Sequence, residues 1–107
     1  MYRYRYYYCM QTYIIQQLES FAEWRRALRD LRAATAIRRR IERAEAGNLG
    51  DIKAVGEGVS EMRIDVGGGY RLYFTIRERV VLFLLVGGGK ASQSADIRRA
   101  IALSKEL

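Results

Sequence analysis

Four residues near the middle of the chain carry the types needed to break a phosphodiester: Glu61, Arg63, Arg71 and Tyr73. RNA is cut without metal or histidine when one group helps remove the 2′-hydroxyl proton, cations stabilise charge growing on the phosphorus oxygens, and another group protonates the leaving 5′-oxygen. A glutamate, two arginines and a tyrosine supply those types. The same residues also suit ordinary cross-strand ion pairing, worth under ~1 kcal/mol per pair, and the pattern alone favours that structural reading. Other chemistries are excluded. The sequence has no histidine and a single cysteine, Cys9, so zinc sites, Cys–His pairs, Ser-His-Asp triads and an internal disulfide have no residues to form them. No metal or cofactor is expected.

A second group is Gly87-Gly88-Gly89-Lys90, ahead of a helical segment. Bare backbone N–H groups beside a helix N-terminus attract anions, so the run reads as an RNA-phosphate cradle or, equally, as a flexible connector. It is not a P-loop, because Leu84 stands where another glycine is required and Ala91 where a hydroxyl should follow the lysine. The net charge of +7, from sixteen arginines and three lysines against twelve acids, points to a polyanionic partner. Arg38, Arg39, Arg40 and Arg43 fall on one side of a helical segment. They read first as a solvated face and next as a surface for a nucleic-acid backbone or for an acidic antitoxin segment, with Arg38 and Arg39 the candidate RNA contacts.

These groups must be held by a single domain, since 107 residues suffice for one hydrophobic core. The longest apolar run, Val80 to Val86, is far shorter than the ~20 residues of a membrane span. No secretory leader is recognisable, so no membrane association and a cytoplasmic location are expected. Residues 1–10 form an extension rich in tyrosine and arginine, and residues 11–107 the domain. Alternating Tyr and Arg could stack on bases, but Met10 is a second possible start and an optional leader is the simpler reading.

Thr12 to Gln17 suits a first strand. Ser20 with Glu23 fits a capping box opening a helix whose buried stripe is Phe21, Trp24, Leu28 and Leu31. A second helix is predicted from Arg32 to Ala46, with Ile37, Ile41 and Ala44 inside and Gly47 capping it. From Ile52 the period becomes two: strands over 52–55, 59–66 and 70–77, with Gly67 to Gly69 as the turn of the second hairpin. Placing Val66 opposite Tyr70 pairs Asp65 with Arg71, Arg63 with Tyr73 and Glu61 with Thr75, on one polar face opposite Met62, Ile64, Leu72, Phe74 and Ile76. Val80 to Val86 is a central strand covered on both sides, and a final helix from Ser92 buries Ile97 and Ile101. The order β-α-α-β-β-β-β-α describes an α+β domain with a mostly antiparallel twisted sheet packed on helices.

Particular segments carry a further likeness. Phe21-Ala22-Glu23-Trp24, GNLGDIKAVGEGVSEMR (47–63), GYRLYF (69–74), VVLFLLVGGGK (80–90) and SQSADI (92–97) resemble the RelE/ParE toxin superfamily, most of all its HigB-like group of addiction module killer proteins. The likeness spans roughly residues 12–107. It implies a bacterial type II toxin with a helix-turn-helix, HigA-like antitoxin, reaching operator DNA only through the antitoxin complex. Many such relatives cut mRNA in the ribosomal A site and leave a 2′,3′-cyclic phosphate; the ParE-like branch inhibits DNA gyrase instead. The leading expectation is a ribosome-dependent, metal-independent mRNA endonuclease, with a gyrase inhibitor or a non-catalytic antitoxin-binding relative as alternatives. The resemblance gives Arg71 the scissile phosphate, Arg63 a supporting charge, and Lys53 and Lys90 the positioning of RNA. Glu61 falls where some relatives carry a catalytic lysine and near where others carry a glutamate base, so Glu61 or Tyr73 would handle protons. Gly68 replaces the proline of the group's GPG turn, Gly89 replaces the aspartate of its GGDK segment, and Ile97 stands near the late histidine or tyrosine that donates a proton in relatives.

Overall fold

The computed structural model describes residues 12–107, so the expected extension at residues 1–10 lies outside it. Eight elements follow in the predicted order: β1 (Ile14–Gln17), α1 (Glu19–Arg26), α2 (Leu31–Glu45), β2 (Ile52–Gly56), β3 (Val59–Ile64), β4 (Tyr70–Arg77), β5 (Val81–Gly89) and α3 (Gln93–Ser104). They build one five-stranded sheet in the order β1-β5-β4-β3-β2. Only β1 runs parallel to its neighbour, β5; the other pairings are antiparallel.

Helices α1 and α2 cover one face of the sheet. Phe21, Ile37 and Ile41 pack there against Met62, Leu72, Phe74, Leu82 and Leu84, the alternate positions that a period of two sends to one side. Helix α3 covers part of the other face, where Ala100, flanked by Ile97 and Ile101, meets Val59, Tyr73, Leu85 and Val86. Strand β5 reaches both cores by alternation, Leu82 and Leu84 on one side and Phe83 and Leu85 on the other. A bulge adds the next residue, Val86, to the α3 side: Tyr73 pairs with Val86 but Phe74 with Leu84, leaving Leu85 without a cross-strand partner.

The caps differ from expectation at one helix and agree at another. Helix α1 starts after Leu18 without a side-chain cap, and the Ser20 hydroxyl instead donates to the Leu85 carbonyl at 2.6 Å, tying the helix to β5. The predicted capping box is therefore not formed. Helix α1 also stops at Arg26, which leaves Leu31 as the first residue of α2, 80% exposed rather than buried. Asp30 caps α2 by accepting from the N–H groups of Arg32 and Ala33. At its other end the predicted Gly47 cap is present: Gly47 has φ +99°, its N–H donates to Ala44, and that of Asn48 donates to Arg43, the paired bonds of a Schellman turn.

The β3–β4 register is corrected by two residues. Ile64, not Val66, faces Tyr70, so Arg63 lies opposite Arg71 and Glu61 opposite Tyr73. The connection is longer than three glycines: β3 ends at Ile64, Val66 packs onto the α1–α2 core, and Gly67 and Gly69 turn the chain with φ of +59° and +89°. A two-residue shift preserves which side chains share a face, so the polar set survives with new partners.

Gly87, Gly88 and Gly89 are strand residues, paired with Leu72, Arg71 and Tyr70. They form neither a cradle nor a loose connector. Two are glycine because neighbours crowd the backbone: a Cβ at Gly87 would lie 2.2 Å from the Trp24 ring, and one at Gly88 1.9 Å from the Asp96 carboxylate.

Candidate functional site

Two cross-strand rows on the α3 face carry the chemistry. The first runs Lys53, Glu61, Tyr73, Val86 across β2, β3, β4 and β5; the second runs Arg63, Arg71, Gly88 across β3, β4 and β5. Directly opposed residues lie close on one face of an antiparallel ladder, so the two arginines are neighbours by construction. Like charges so placed repel unless an anion lies between them, and Glu61 supplies it. Arg71 Nε donates to Glu61 Oε2 at 3.1 Å, and Arg63 Nε lies 3.9 Å from the same oxygen. Gln93, the first residue of α3, donates to the other oxygen at 3.3 Å.

Burial divides the group. Glu61 is 2% exposed and Tyr73 is fully buried, because α3 lies over them. The Arg71 side chain retains 15% exposure and that of Arg63 42%. The sheet face that sequence patterning treats as polar and open is thus roofed at Glu61 and Tyr73 and accessible at the arginines. A buried carboxylate persists only with its hydrogen-bonding capacity engaged, and here two guanidinium groups and an amide engage it. Among the described residues neither terminal nitrogen of Arg71 is hydrogen-bonded, leaving that fork free for an anion.

The Tyr73 hydroxyl is buried with no hydrogen-bond partner among the described residues. Burial above all, then the negative charges of Glu61 and Asp96, pushes its pKa up to about 12, with Arg71 acting the other way. Lys53 is exposed on the edge strand β2, and Lys90 is exposed just past β5. A Cβ on Gly69 would lie 3.1 Å from the Lys90 side chain, so the glycine there makes room for the lysine. The fold therefore brings Glu61, Arg63, Arg71 and Tyr73 together, with Lys53 in their row and Lys90 past the end of β5.

Arg38 and Arg39 lie elsewhere. Both are exposed on α2, on the far side of the sheet from the arginine pair. Arg38 borders a cleft of about 530 Å³ between α1 and α2, with Arg25, Ala34 and Leu31. Arg40 departs from the solvated face predicted for it. Its guanidinium donates to the carbonyls of Arg63, Leu49 (3.0 Å) and Asp51 (3.4 Å). Its pKa is lowered chiefly by burial; Asp51 opposes the shift and Arg43 adds to it.

Sequence reasoning missed Asp51, Gln93 and Asp96 as well as Arg40. Asp51 Oδ1 holds a terminal nitrogen of Arg63 at 3.2 Å, and Asp96 takes a 2.6 Å bond from Ser92 above Gly88. The available signals were the glycines: Gly50 and Gly88 each mark a place where a side chain comes close to the backbone.

The architecture is that of a known toxin fold. The chain is similar to the structure of a mutant of E. coli toxin RelE in the free state, with a TM-score of 0.68 and 23% sequence identity, over 87% of this chain and 98% of that one. It is also 44% identical over 96 residues to an uncharacterized protein of Haemophilus influenzae, covering 90% of this chain and 97% of the relative. The chain belongs to the same family as that Haemophilus protein. No family model matches it. Among the described residues no helix is long and apolar enough to cross a membrane.

Proposed function

We propose that this protein is the toxin of a type II toxin–antitoxin pair: a metal-independent endoribonuclease, HigB-like within the RelE/ParE superfamily, that cuts mRNA on the ribosome and stops translation in the cytoplasm. The observation that carries the reading is the arginine pair. Arg71 and Arg63, directly opposed on adjacent strands, share one buried carboxylate and keep donors facing outward from a RelE-like sheet. That arrangement suits a phosphodiester, whose non-bridging oxygens gain charge as the 2′-oxygen attacks phosphorus and the bond to the 5′-oxygen breaks. A proton passes, in net, from the 2′-hydroxyl to the leaving 5′-oxygen, leaving a 2′,3′-cyclic phosphate.

In this reading Arg71 and Arg63 stabilise the transition state, and Lys53 and Lys90 hold flanking phosphates. Glu61 keeps the two guanidinium groups side by side. Its oxygens are committed to Arg71, Arg63 and Gln93 and have almost no open surface, which fits positioning better than the base role drawn from sequence. Tyr73, equally covered, packs rather than donates, and the proton transfers fall to water. The partner is a helix-turn-helix antitoxin that neutralises basic surface, and operator DNA is met only through that complex.

The test is induced expression in bacteria. Wild type arrests growth, co-expressed antitoxin relieves the arrest, and Arg71→Ala abolishes it in a protein that keeps the far-UV circular dichroism of wild type, with a lowered melting temperature because buried Glu61 loses its closest cation. New RNA 5′ ends appear only with translating ribosomes. Growth arrest that survives Arg71→Ala, or DNA-damage signalling with intact mRNA, overturns the proposal; the second outcome points to gyrase.

A further inference from the structure

We infer that Arg40, on the helix across the sheet from the site, is a positioning residue for Arg63: through the loop at residues 49–51 it fixes the angle at which the Arg63 guanidinium meets a phosphate. The inference rests on the reading of Arg63 as a phosphate ligand, and it adds a residue outside the site itself.

Arg63 is held by Asp51 and Arg40. Its N–H donates to the Asp51 carbonyl at 3.0 Å, its guanidinium reaches Asp51 Oδ1 at 3.2 Å, and its own carbonyl accepts from Arg40 Nη1. Asp51 therefore grips Arg63 at both backbone and side chain, and Asp51 must itself be fixed for that grip to set an angle. Arg40 Nη2 supplies the fixing, donating to the carbonyls of Leu49 and Asp51 on either side of Gly50. The loop is shaped for this contact. Gly50 has φ +68°, and a Cβ there would lie 2.8 Å from Arg40 Nη2. The Asn48 side chain accepts the Gly50 N–H at 3.0 Å, closing the turn around the guanidinium.

Only arginine fits this role. Its planar fork presents donors in two directions at once, whereas a lysine ammonium is a single point that cannot span the carbonyls of a β-strand and a loop with fixed geometry. The exposed pair of Arg63 with Asp51 would by itself hold the guanidinium weakly; anchoring its acid partner through a half-buried arginine removes much of that freedom. Arg71 provides an internal control. It is held by Glu61, and none of the contacts made by Arg40 touches it.

The difference between the two arginines is the test. In the full chain labelled with 15N, side-chain spectra of wild type show Arg63 and Arg71 each with hindered guanidinium rotation. In Arg40→Met, which keeps an apolar stem in place, the Arg63 signals lose that signature and exchange faster with water while the Arg71 Nε–H signal stays put. Cleavage of mRNA falls in the same variant, and in an Arg63→Ala background Arg40→Met brings no further loss, the non-additivity of two residues acting through one contact. Arg40→Lys does not restore the signature. If Arg40→Met fails to fold, Gly50→Ala attacks the clamp from the loop side and should release Arg63 alone. Retention of the Arg63 signature in a folded variant overturns the inference, as does joint loss of the Arg63 and Arg71 signatures, which would mark Arg40 as general scaffolding. If Arg63→Ala keeps full toxicity, the nuclease reading of Arg63 fails while the spectra still decide whether Arg40 orients it.

Discussion

Tyr73 lies within the polar row, yet its hydroxyl has no hydrogen-bond partner among the described residues and its pKa is pushed up to about 12. An unmet buried hydroxyl costs about 1–3 kcal/mol, so Tyr73→Phe should raise stability at neutral pH by about 1 kcal/mol, read from urea unfolding. The pH dependence has a definite sign. The folded pKa lies above the ordinary value of 10.0, so folding favours the protonated phenol; that contribution is complete below pH 10 and lost as pH climbs toward 12. Wild type should therefore lose stability across that window, and Tyr73→Phe should lose less, with one late-titrating phenol missing from its absorbance titration. An equal alkaline loss in both proteins would show that the Tyr73 hydroxyl reaches solvent. The variant should also keep its capacity to arrest growth, since the nuclease reading asks no proton of Tyr73.

Among the elements, β5 and its glycines carry the sharpest consequence. Gly87 lets the Trp24 indole press against the strand backbone, with Phe21 at 5.7 Å and Tyr70 at 6.2 Å between ring centroids. Gly87→Ala should cost about 1–3 kcal/mol through overpacking. Gly89→Ala, whose Cβ would meet nothing closer than 3.8 Å, should be neutral or stabilising by up to about 1 kcal/mol, because it only restricts the unfolded chain. Chemical denaturation of the two variants side by side decides it. These glycines also show what a sequence conveys. Order, sheet faces and the span of α2 were legible because periods of two and 3.6 are local, and the Gly47 cap because its turn is local too. The end of α1 was not, since Leu31 continues the apolar spacing but begins the next helix. The β3–β4 register depended on where Val66 would go, a choice made by the α1–α2 core. The Ser20 cap lost to a bond with Leu85, distant in the chain. At the site, the arginine pair and its row-mates could be listed from alternation, but Asp51, Gln93 and Arg40 could not, since each reaches its partner across more than ten residues of sequence.

At the scale of the molecule, positive charge lies on both sides of the sheet: Arg63 and Arg71 on the α3 side, Arg38 and Arg39 on the helical side. A short single-stranded RNA meets one side at a time, whereas a ribosome surrounds a protein and offers phosphates to both. Arg38→Ala with Arg39→Ala should therefore leave the salt dependence of binding to a short RNA oligonucleotide nearly unchanged. It should lower the log–log salt slope for ribosome binding by about 1 to 2. Equal reductions for both ligands would place the two helix arginines on the path of the scissile strand. The parallel pairing of β1 has a different consequence. Ile14 to Gln17 seat against Val81 to Leu84, so β1, the first of the described strands to leave a translating ribosome, has to wait for β5. The helical hairpin behind it finds part of its apolar floor in Met62, Leu72 and Phe74, and the rest, Leu82 and Leu84, only when β5 arrives. A nascent chain of this protein thus stays incompletely built until β5 is synthesised, and a truncated product ending before β5 would be inert to the cell that made it.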